Sequence, residues 1–473
     1  MDRRLFLKNV SVAAAAAALS PNIFGAEESK PHYKNGEMKL AFVGTGLMGG
    51  VNMRILLKEL GQHCEAVCDV DSKYGAKAQR LYAPKARKFL DYREMFAELE
   101  GKLDGVVIST PDNSHFAIAM CALKHKLPVY VEKPLCYSVG QTRALTQAAA
   151  KASLATQMGN FVHSCCGIDY VREFVDAGAI GEVKEVVAWT CRPYIGCNQR
   201  PKGWKVWPKP DPIPPTLDWD KWLNTTEYSD YYDAVVPLNW RRFFKFGSGS
   251  LGDIGCHILD VPITAFDLPA PSRISSRQRG GTSLCVPLQD EVVYEFPTSR
   301  FGKPLKITWY SGVIRPDKNG EFPADYDASF MPPLPKEYTD MRRGYAQLSP
   351  DGMFIMGTEG VIYSPAMHLK GKPVILPKKR EAEFTKKLAA RTAGFSNADH
   401  RLNFLQGIAG DVKKCNSDFS VAGPLSEIVQ LGNITLQTGR PIIWDSANMR
   451  CVGDPAATAF VNPPMRPQYF TIR

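Results

Sequence analysis

No stretch of this chain is apolar for long enough to cross a bilayer: Val10 to Leu19 falls short of the roughly 20 residues a spanning helix needs. The 12 cysteines lack the paired CxxC spacing of a zinc site. Cys64, Cys68, Cys121 and Cys136 lie in or beside apolar segments, where a thiol packs as a small hydrophobe, and neither Cys165-Cys166 nor Cys191 to Cys197 has metal-ligand spacing. No metal and no disulfide framework are predicted. Basic residues are scattered, as in Lys378-Lys379-Arg380 and Lys386-Lys387, without the interleaved aromatics of a nucleic-acid platform, so no nucleic-acid partner is expected despite a net charge of +10. There is no internal repeat, and no low-complexity tract beyond one alanine run. What remains, with 44% hydrophobic and 22% charged residues, is a soluble globular protein, and 473 residues predict two or three domains.

The first residues are not part of that fold. Arg3-Arg4, Lys8 and the apolar Val10 to Leu19 resemble a twin-arginine export signal, with cleavage near Ala26, so residues 1–30 are assigned to signal and linker. Cleavage removes Arg3, Arg4 and Lys8 together with Asp2, leaving +8. No cysteine ends the apolar run, so neither a lipid nor a stable membrane anchor is expected. The expected location is periplasmic, reached in the folded state with any cofactor already bound.

Met38 to Val43 reads as a strand running straight into Gly44-Thr45-Gly46-Leu47-Met48-Gly49, and Asp69 follows a second strand-like run, Cys64 to Cys68. Gly44 allows the tight turn, Gly46 lets backbone N–H groups approach a pyrophosphate, and Gly49 lets the next helix pack close. The helix N-terminus then faces the phosphates with its partial positive charge. Asp69 would accept hydrogen bonds from ribose hydroxyls and repel a 2′-phosphate, which favours NAD over NADP.

From 38 to about 160, short β-branched strands alternate with helical patterns: Gly105 to Ser109, Ser114 to Lys124, Val129 to Val131, Val139 to Ala152. This predicts a parallel sheet covered on both faces. Later runs, Val183 to Cys191, Glu291 to Phe296, Leu305 to Tyr310 and Gly360 to Tyr363, suggest a largely antiparallel sheet. Two long loops, Pro201 to Pro215 and Asp317 to Gly352, read as lids, oligomer contacts or insertions. The fold class is α/β: a Rossmann domain over 36–160 and an α/β domain with a large open, mostly antiparallel sheet over 161–473, whose C-terminal segment can pack back on the first.

Thr110-Pro111-Asp112-Asn113-Ser114-His115, Glu132-Lys133-Pro134, Gln157-Met158-Gly159-Asn160 and Gly252-Asp253-Ile254-Gly255-Cys256-His257-Ile258-Leu259-Asp260 resemble, in order and spacing, the signatures of the Gfo/Idh/MocA oxidoreductases. Gly357-Thr358-Glu359-Gly360 and the segment Leu431 to Arg450 are similar to the exported bacterial branch of that family. The resemblance implies tightly bound NAD contacted by Gly44 to Gly49, Asp69, Thr110, Pro111, Asn113, His115, Glu132, Lys133, Gln157 and Asn160. It also implies a cis peptide before Pro134, and a homodimer or homotetramer paired through the open sheet. His115 can equally pack at the start of its helix, and Gln157 and Asn160 can simply satisfy the domain junction. Asp253 and His257 are spaced i, i+4 and share a face if Leu251 to Ala265 is a helix, which Pro262 limits or bends.

The chemistry implied is hydride transfer between NAD and a secondary hydroxyl of a sugar. His257 would serve as general base, its imidazole having an unperturbed pKa of about 6.5. Lys133 would stabilise the alkoxide, and Asp253 would orient His257 or bind a substrate hydroxyl. Lys133, Asn160, Trp240, Arg241, Asp253 and His257 form the substrate set; the tryptophans Trp204, Trp207, Trp219 and Trp222 can be sugar platforms or core. Export leaves no obvious partner to reoxidise the cofactor, so turnover would restore NAD in place, by coupling two sugar reactions or by a redox-neutral glycosidase cycle of oxidation, elimination and hydride return. A non-catalytic, NAD-stabilised sugar-binding protein is the third alternative.

Overall fold

The computed structural model describes residues 36–194, 203–341, 343–365, 372–392, 394, 396 and 398–469. The expected leader and Cys197 lie outside the described residues. Six strands, β1 (Lys39–Val43), β2 (His63–Cys68), β3 (Arg87–Phe89), β4 (Gly105–Ile108), β5 (Val129–Val131) and β6 (Thr156–Met158), form a parallel sheet in the order β3-β2-β1-β4-β5-β6. All four residues of β4 are buried because both faces are covered. Ala41, Val43, Val106, Ile108, Val129 and Val131 share one core with Phe96 and Phe116. Leu40, Phe42, Val107 and Tyr130 share another with Met53 and Leu56, and with Phe404 and Leu405 from far along the chain.

Five helices alternate with these strands: α1 (Leu47–Met53, continued by a π-helical turn Arg54–Glu59), α2 (Ala76–Tyr82), α3 (Tyr92–Glu98), α4 (Asp112–Lys124) and α5 (Val139–Ala152). The strand order reverses beside β1, where β4 lies opposite β2, and the crevice above that switch is where open α/β sheets take ligands. Three elements of this domain escaped the sequence pattern, the three-residue β6 among them. β3 is too short and too exposed to show an apolar period, and α3 announces itself chiefly by its cap, the Asp91 carboxylate accepting from Arg93 N–H.

The second sheet has nine strands: β7 (Val183–Thr190), β8 (Arg273–Arg279), β9 (Gln289–Phe296), β10 (Leu305–Ser311), β11 (Asp351–Gly357), β12 (Val361–Ser364), β13 (Val374–Leu376), β14 (Ile442–Asp445) and β15 (Arg450–Cys451). Their order is β13-β12-β11-β7-β10-β9-β8-β14-β15, antiparallel throughout except between β7 and β10. Along β7, Val186 and Ala188 face the helices, whereas Val187 and Trp189 face the opposite side. There the expected loop Asp317 to Gly352 is partly ordered structure, with a short helix, Lys336–Thr339, that buries Tyr338 against Phe354 and Tyr363.

A long helix, α6 (Phe419–Thr438), returns to the first domain and lies on α5. Gly423 permits the approach: a Cβ there would fall 2.2 Å from Thr146 Oγ1. Arg143 closes the contact with two bonds to Glu427, 2.6 Å each, and Leu135 N donates to Ser426 Oγ at 3.0 Å. Among the described residues no helix is long and apolar enough to cross a membrane.

Candidate active site

The turn after β1 has the backbone that its glycines require. Gly44 has φ +80, and a Cβ on Gly49 would fall 2.0 Å from Gly44 O, so α1 can start this close to the strand only with glycine there. Thr45 is buried and Leu47 exposed at the mouth of the turn, with Met48 between them in exposure. Asp69 lies just past β2, its Oδ2 accepting from Thr45 N and Thr45 Oγ1, both at 2.8 Å, and its Oδ1 from Asp71 N at 3.0 Å. Burial pushes its carboxyl above the ordinary range against these hydrogen bonds. The ring of Tyr74 lies over Gly46, where a Cβ would come 2.3 Å from its Cε1. Burial raises this phenol to about 12 while a hydrogen bond with the Leu47 backbone opposes the rise.

The strand ends β4 and β5 are braced against each other. His115 is buried with its ring nitrogens 2.9 Å from the Thr110 and Pro134 carbonyls, and Pro111 sets the entry to α4. Asn113 Nδ2 donates to Leu223 O and Thr226 Oγ1, tying this corner to the second domain. Glu132 is buried; Oε1 accepts from Asn52 Nδ2 at 2.9 Å, while Oε2 is left without a hydrogen-bond partner. Asn52 in turn accepts from Arg401 Nε at 2.8 Å. An orphaned carboxylate oxygen at a strand's carboxyl end fits a ribose hydroxyl donor, and with the glycine turn it fits a dinucleotide across the crevice.

Lys133 follows in a cis Lys133–Pro134 peptide, as the resemblance implied. Pro134 Cγ would be 3.5 Å from a Cβ on Gly252, so the Rossmann strand end and the segment from Leu251 pack directly together. That segment corrects an expectation. Instead of one helix over Leu251 to Ala265 there is a π-helical turn (Leu251–Gly255), an α-helical turn (Cys256–Ile258) and a helix (Asp260–Ala265); the break between the last two falls where Pro262 offers no N–H to Ile258 O. Within it Asp253 ion-pairs with Lys133, and Arg241 Nε lies 3.9 Å from the same carboxylate. Burial would raise the Asp253 carboxyl, but Lys133, Arg241 and Arg192 hold it well below the usual range. His257 is buried on the same segment, its ring 5.2 Å from Phe161.

Arg241 links the two domains: Nη1 donates to Asp112 Oδ1 at 2.9 Å, and Asp112 Oδ2 accepts from Ser248 N at 3.0 Å. Its guanidinium lies 4.2 Å from the Trp240 ring centroid. Of the others, Trp219 and Trp222 are core and stack at 4.7 Å, while the half-buried Trp204 and Trp207 pack on Tyr232 and Phe243. Asn160 and Gln157 are engaged at the junction. Asn160 bonds Asp260 and Ser417, and Gln157 bonds His400 O and Ser417 N, so both help to satisfy the domain junction. Asp260 also holds His163 at 2.9 Å, raising that imidazole against burial, which lowers it.

Compared with known proteins, residues 38–160 match the oxidoreductase family's NAD-binding Rossmann fold, and residues 172–269 match its C-terminal alpha/beta domain. The chain belongs to the Gfo/Idh/MocA oxidoreductase family. An uncharacterized oxidoreductase of Streptococcus pneumoniae is 26% identical over 44% of this chain and 51% of its own length. Inositol 2-dehydrogenase of Salmonella paratyphi B is 26% identical over 31% of this chain and 43% of its own. The matches thus span about half the length of these curated relatives or less. A dehydrogenase from Chromobactrium violaceum, solved with NADH and UDP-GlcNAcA, shares the fold at TM-score 0.58 with 14% identity, covering 88% of this chain and 98% of its own.

Sequence reasoning missed four residues that pack on or act on the candidate site. Asp112 lay inside a quoted motif, but its role depends on Arg241, 129 residues away. Asn52, Tyr74 and Arg192 had no local signal; the first two are placed by packing on Glu132 and Gly46, and the third by its field on Asp253.

Proposed function

We propose that this protein is an NAD-dependent oxidoreductase of sugar-like secondary alcohols. The observation that carries the reading is the ion pair of Lys133 and Asp253, which joins the carboxyl end of β5 to the turn bearing His257. The named identities of relatives, inositol 2-dehydrogenase among them, support a polyol or sugar substrate. NAD would be held by the Gly44 to Gly49 turn, Asp69, the Thr110–Pro111 backbone and Glu132, with Asp69 disfavouring NADP. Bound there, it supplies the hydride acceptor.

His257 would take the hydroxyl proton, and the Lys133 ammonium would stabilise the oxygen as its charge grows. Asp253 aims Lys133 through their ion pair, and Arg241 steadies Asp253 from the side of Asp112. The leader favours a periplasmic location, which in turn favours a cofactor that stays bound and is restored in place. A dimer or tetramer belongs to the same proposal.

The test is to identify the nucleotide released on denaturing purified protein, then follow the bound cofactor's absorbance against free sugars and aryl glycosides. Lasting reduction is expected, and Lys133→Met should keep the nucleotide while slowing reduction by about 100- to 1,000-fold. Transient reduction with aglycone release would move the assignment to a redox-neutral glycosidase. No spectral change with any sugar would overturn the enzymatic reading.

A further inference from the structure

The long loop Pro201 to Pro215 leads into a segment that ties together the carboxyl ends of two Rossmann strands. Just past β2, Val70 O accepts from Asp218 N and Ser72 N donates to Thr216 O, both at 2.9 Å, so Asp71 and Leu217 stand opposite each other in an antiparallel bridge. Past the short helix Trp219–Leu223, Leu223 O and Thr226 Oγ1 accept from Asn113 Nδ2 at 3.1 and 2.9 Å, and Thr225 Oγ1 donates to Asn113 O at 3.2 Å, at the start of α4. Since β2 and β4 are the neighbours of β1, residues 216–226 join the two strand ends that flank the glycine turn. Tyr231 and Phe246 pack on the stacked Trp219 and Trp222, so this strap carries its own aromatic core.

A second set of contacts fastens the strap. Asp220, exposed on the short helix, accepts from both Arg466 Nη1 and Tyr469 Oη. Arg466 reaches further, to Asp220 O at 2.8 Å and Asn224 O at 2.9 Å. The guanidiniums of Arg466 and Arg93 each lie 4.8 Å from the Tyr469 ring centroid. Arg93 belongs to α3, where it pairs with Asp91 and donates to Gln468 O at 2.8 Å. Residues 466–469 thereby bolt the strap to the Rossmann domain.

We propose that residues 216–226 are a strap over the adenosine half of bound NAD, and that Asp220, Arg466 and Tyr469 are its latch, so that the cofactor leaves only when the latch opens. This rests on the NAD-dependent reading above and adds the device that retains the cofactor. With the pyrophosphate at the glycine turn and the ribose at Asp69, the adenosine end runs toward Val70 and Asp71, where the strap is pinned. A segment held at both ends, with a packed core of its own, opens far less often than a free loop.

The experiment loads the full chain with radiolabelled NAD and follows its release into excess unlabelled NAD. Asp220→Ala takes the shared acceptor from Arg466 and Tyr469 and should speed release by about 10- to 100-fold. Arg466→Lys, which keeps the charge but not the fork of donors, should fall between that variant and the parent. The strap itself is tested by the double variant Asp71→Cys with Leu217→Cys, since residues opposed in such a non-hydrogen-bonded pair have Cα atoms about 4.5 Å apart, within disulfide range. Oxidised, it should keep the label; after treatment with a thiol reductant it should release it at least about 10-fold faster. The melting temperature of each variant freed of nucleotide separates a loosened strap from a loosened fold. Release at the parent's rate from Asp220→Ala, or at one rate from the oxidised and reduced double variant, would overturn the proposal and leave the oxidoreductase reading standing. A parent protein that neither carries nor takes up NAD would bring down that reading instead.

Discussion

Asp290 shows how a single buried carboxyl sets a pH response. It lies on β9 with Oδ1 accepting from Ser311 Oγ at 3.0 Å, the serine in turn accepting from Trp309 Nε1. Burial raises its pKa from 3.8 to about 7, the serine opposing weakly. The folded protein therefore holds a proton that the unfolded chain has lost. Stability from this group is complete below the unfolded pKa, falls as pH rises toward 7, and is then level. Asp290→Asn should stabilise by on the order of 2–4 kcal/mol at about pH 8 and by less at about pH 5, read from urea denaturation. Nothing in the sequence marked this residue, since its protonation depends on strands β9 and β10 being paired. Lys133, Asp253 and His257 were legible because each lies in a short contiguous motif.

At the scale of elements, the parallel strands were legible because burial on both faces leaves continuous apolar runs such as Gly105–Ile108. The break at Leu259 was foreseen only in part: Pro262 announces a limit but not the π-helical turn before it. Least legible was α6, which is buried nearly all round, polar Ser426, Glu427, Gln430 and Asn433 included, because it packs between the two sheets' domains. Its clamp on α5 is the nearly buried Arg143–Glu427 pair, with side-chain exposures of 24% and 10%. Breaking it on one side strands the other charge, so Glu427→Gln should cost about 2–3 kcal/mol by denaturant titration, and more than the double replacement Arg143→Met with Glu427→Met. Because α6 also bonds Leu135, two residues from Lys133, that loss should be accompanied by weaker retention of cofactor.

Across the whole molecule, the two-domain plan was readable from the change of pattern near residue 160, but the closure of the first domain was not. Phe404 and Leu405 complete the core around Tyr130, a contact spanning most of the chain. The far side of the second sheet is likewise sealed from within, Tyr338 filling the space among Trp189, Phe354 and Tyr363. Tyr338→Ala should cost about 3–5 kcal/mol and increase binding of an apolar dye. The rest of that surface is different in kind. Cross-strand pairs Arg273–Glu295, Arg277–Glu291 and Lys306–Glu185 leave it lined with alternating charge. Since the greasy half is already occupied by the chain's own segment, any neighbour using this sheet meets only a chequerboard of ions, and its grip would slacken in brine rather than in detergent.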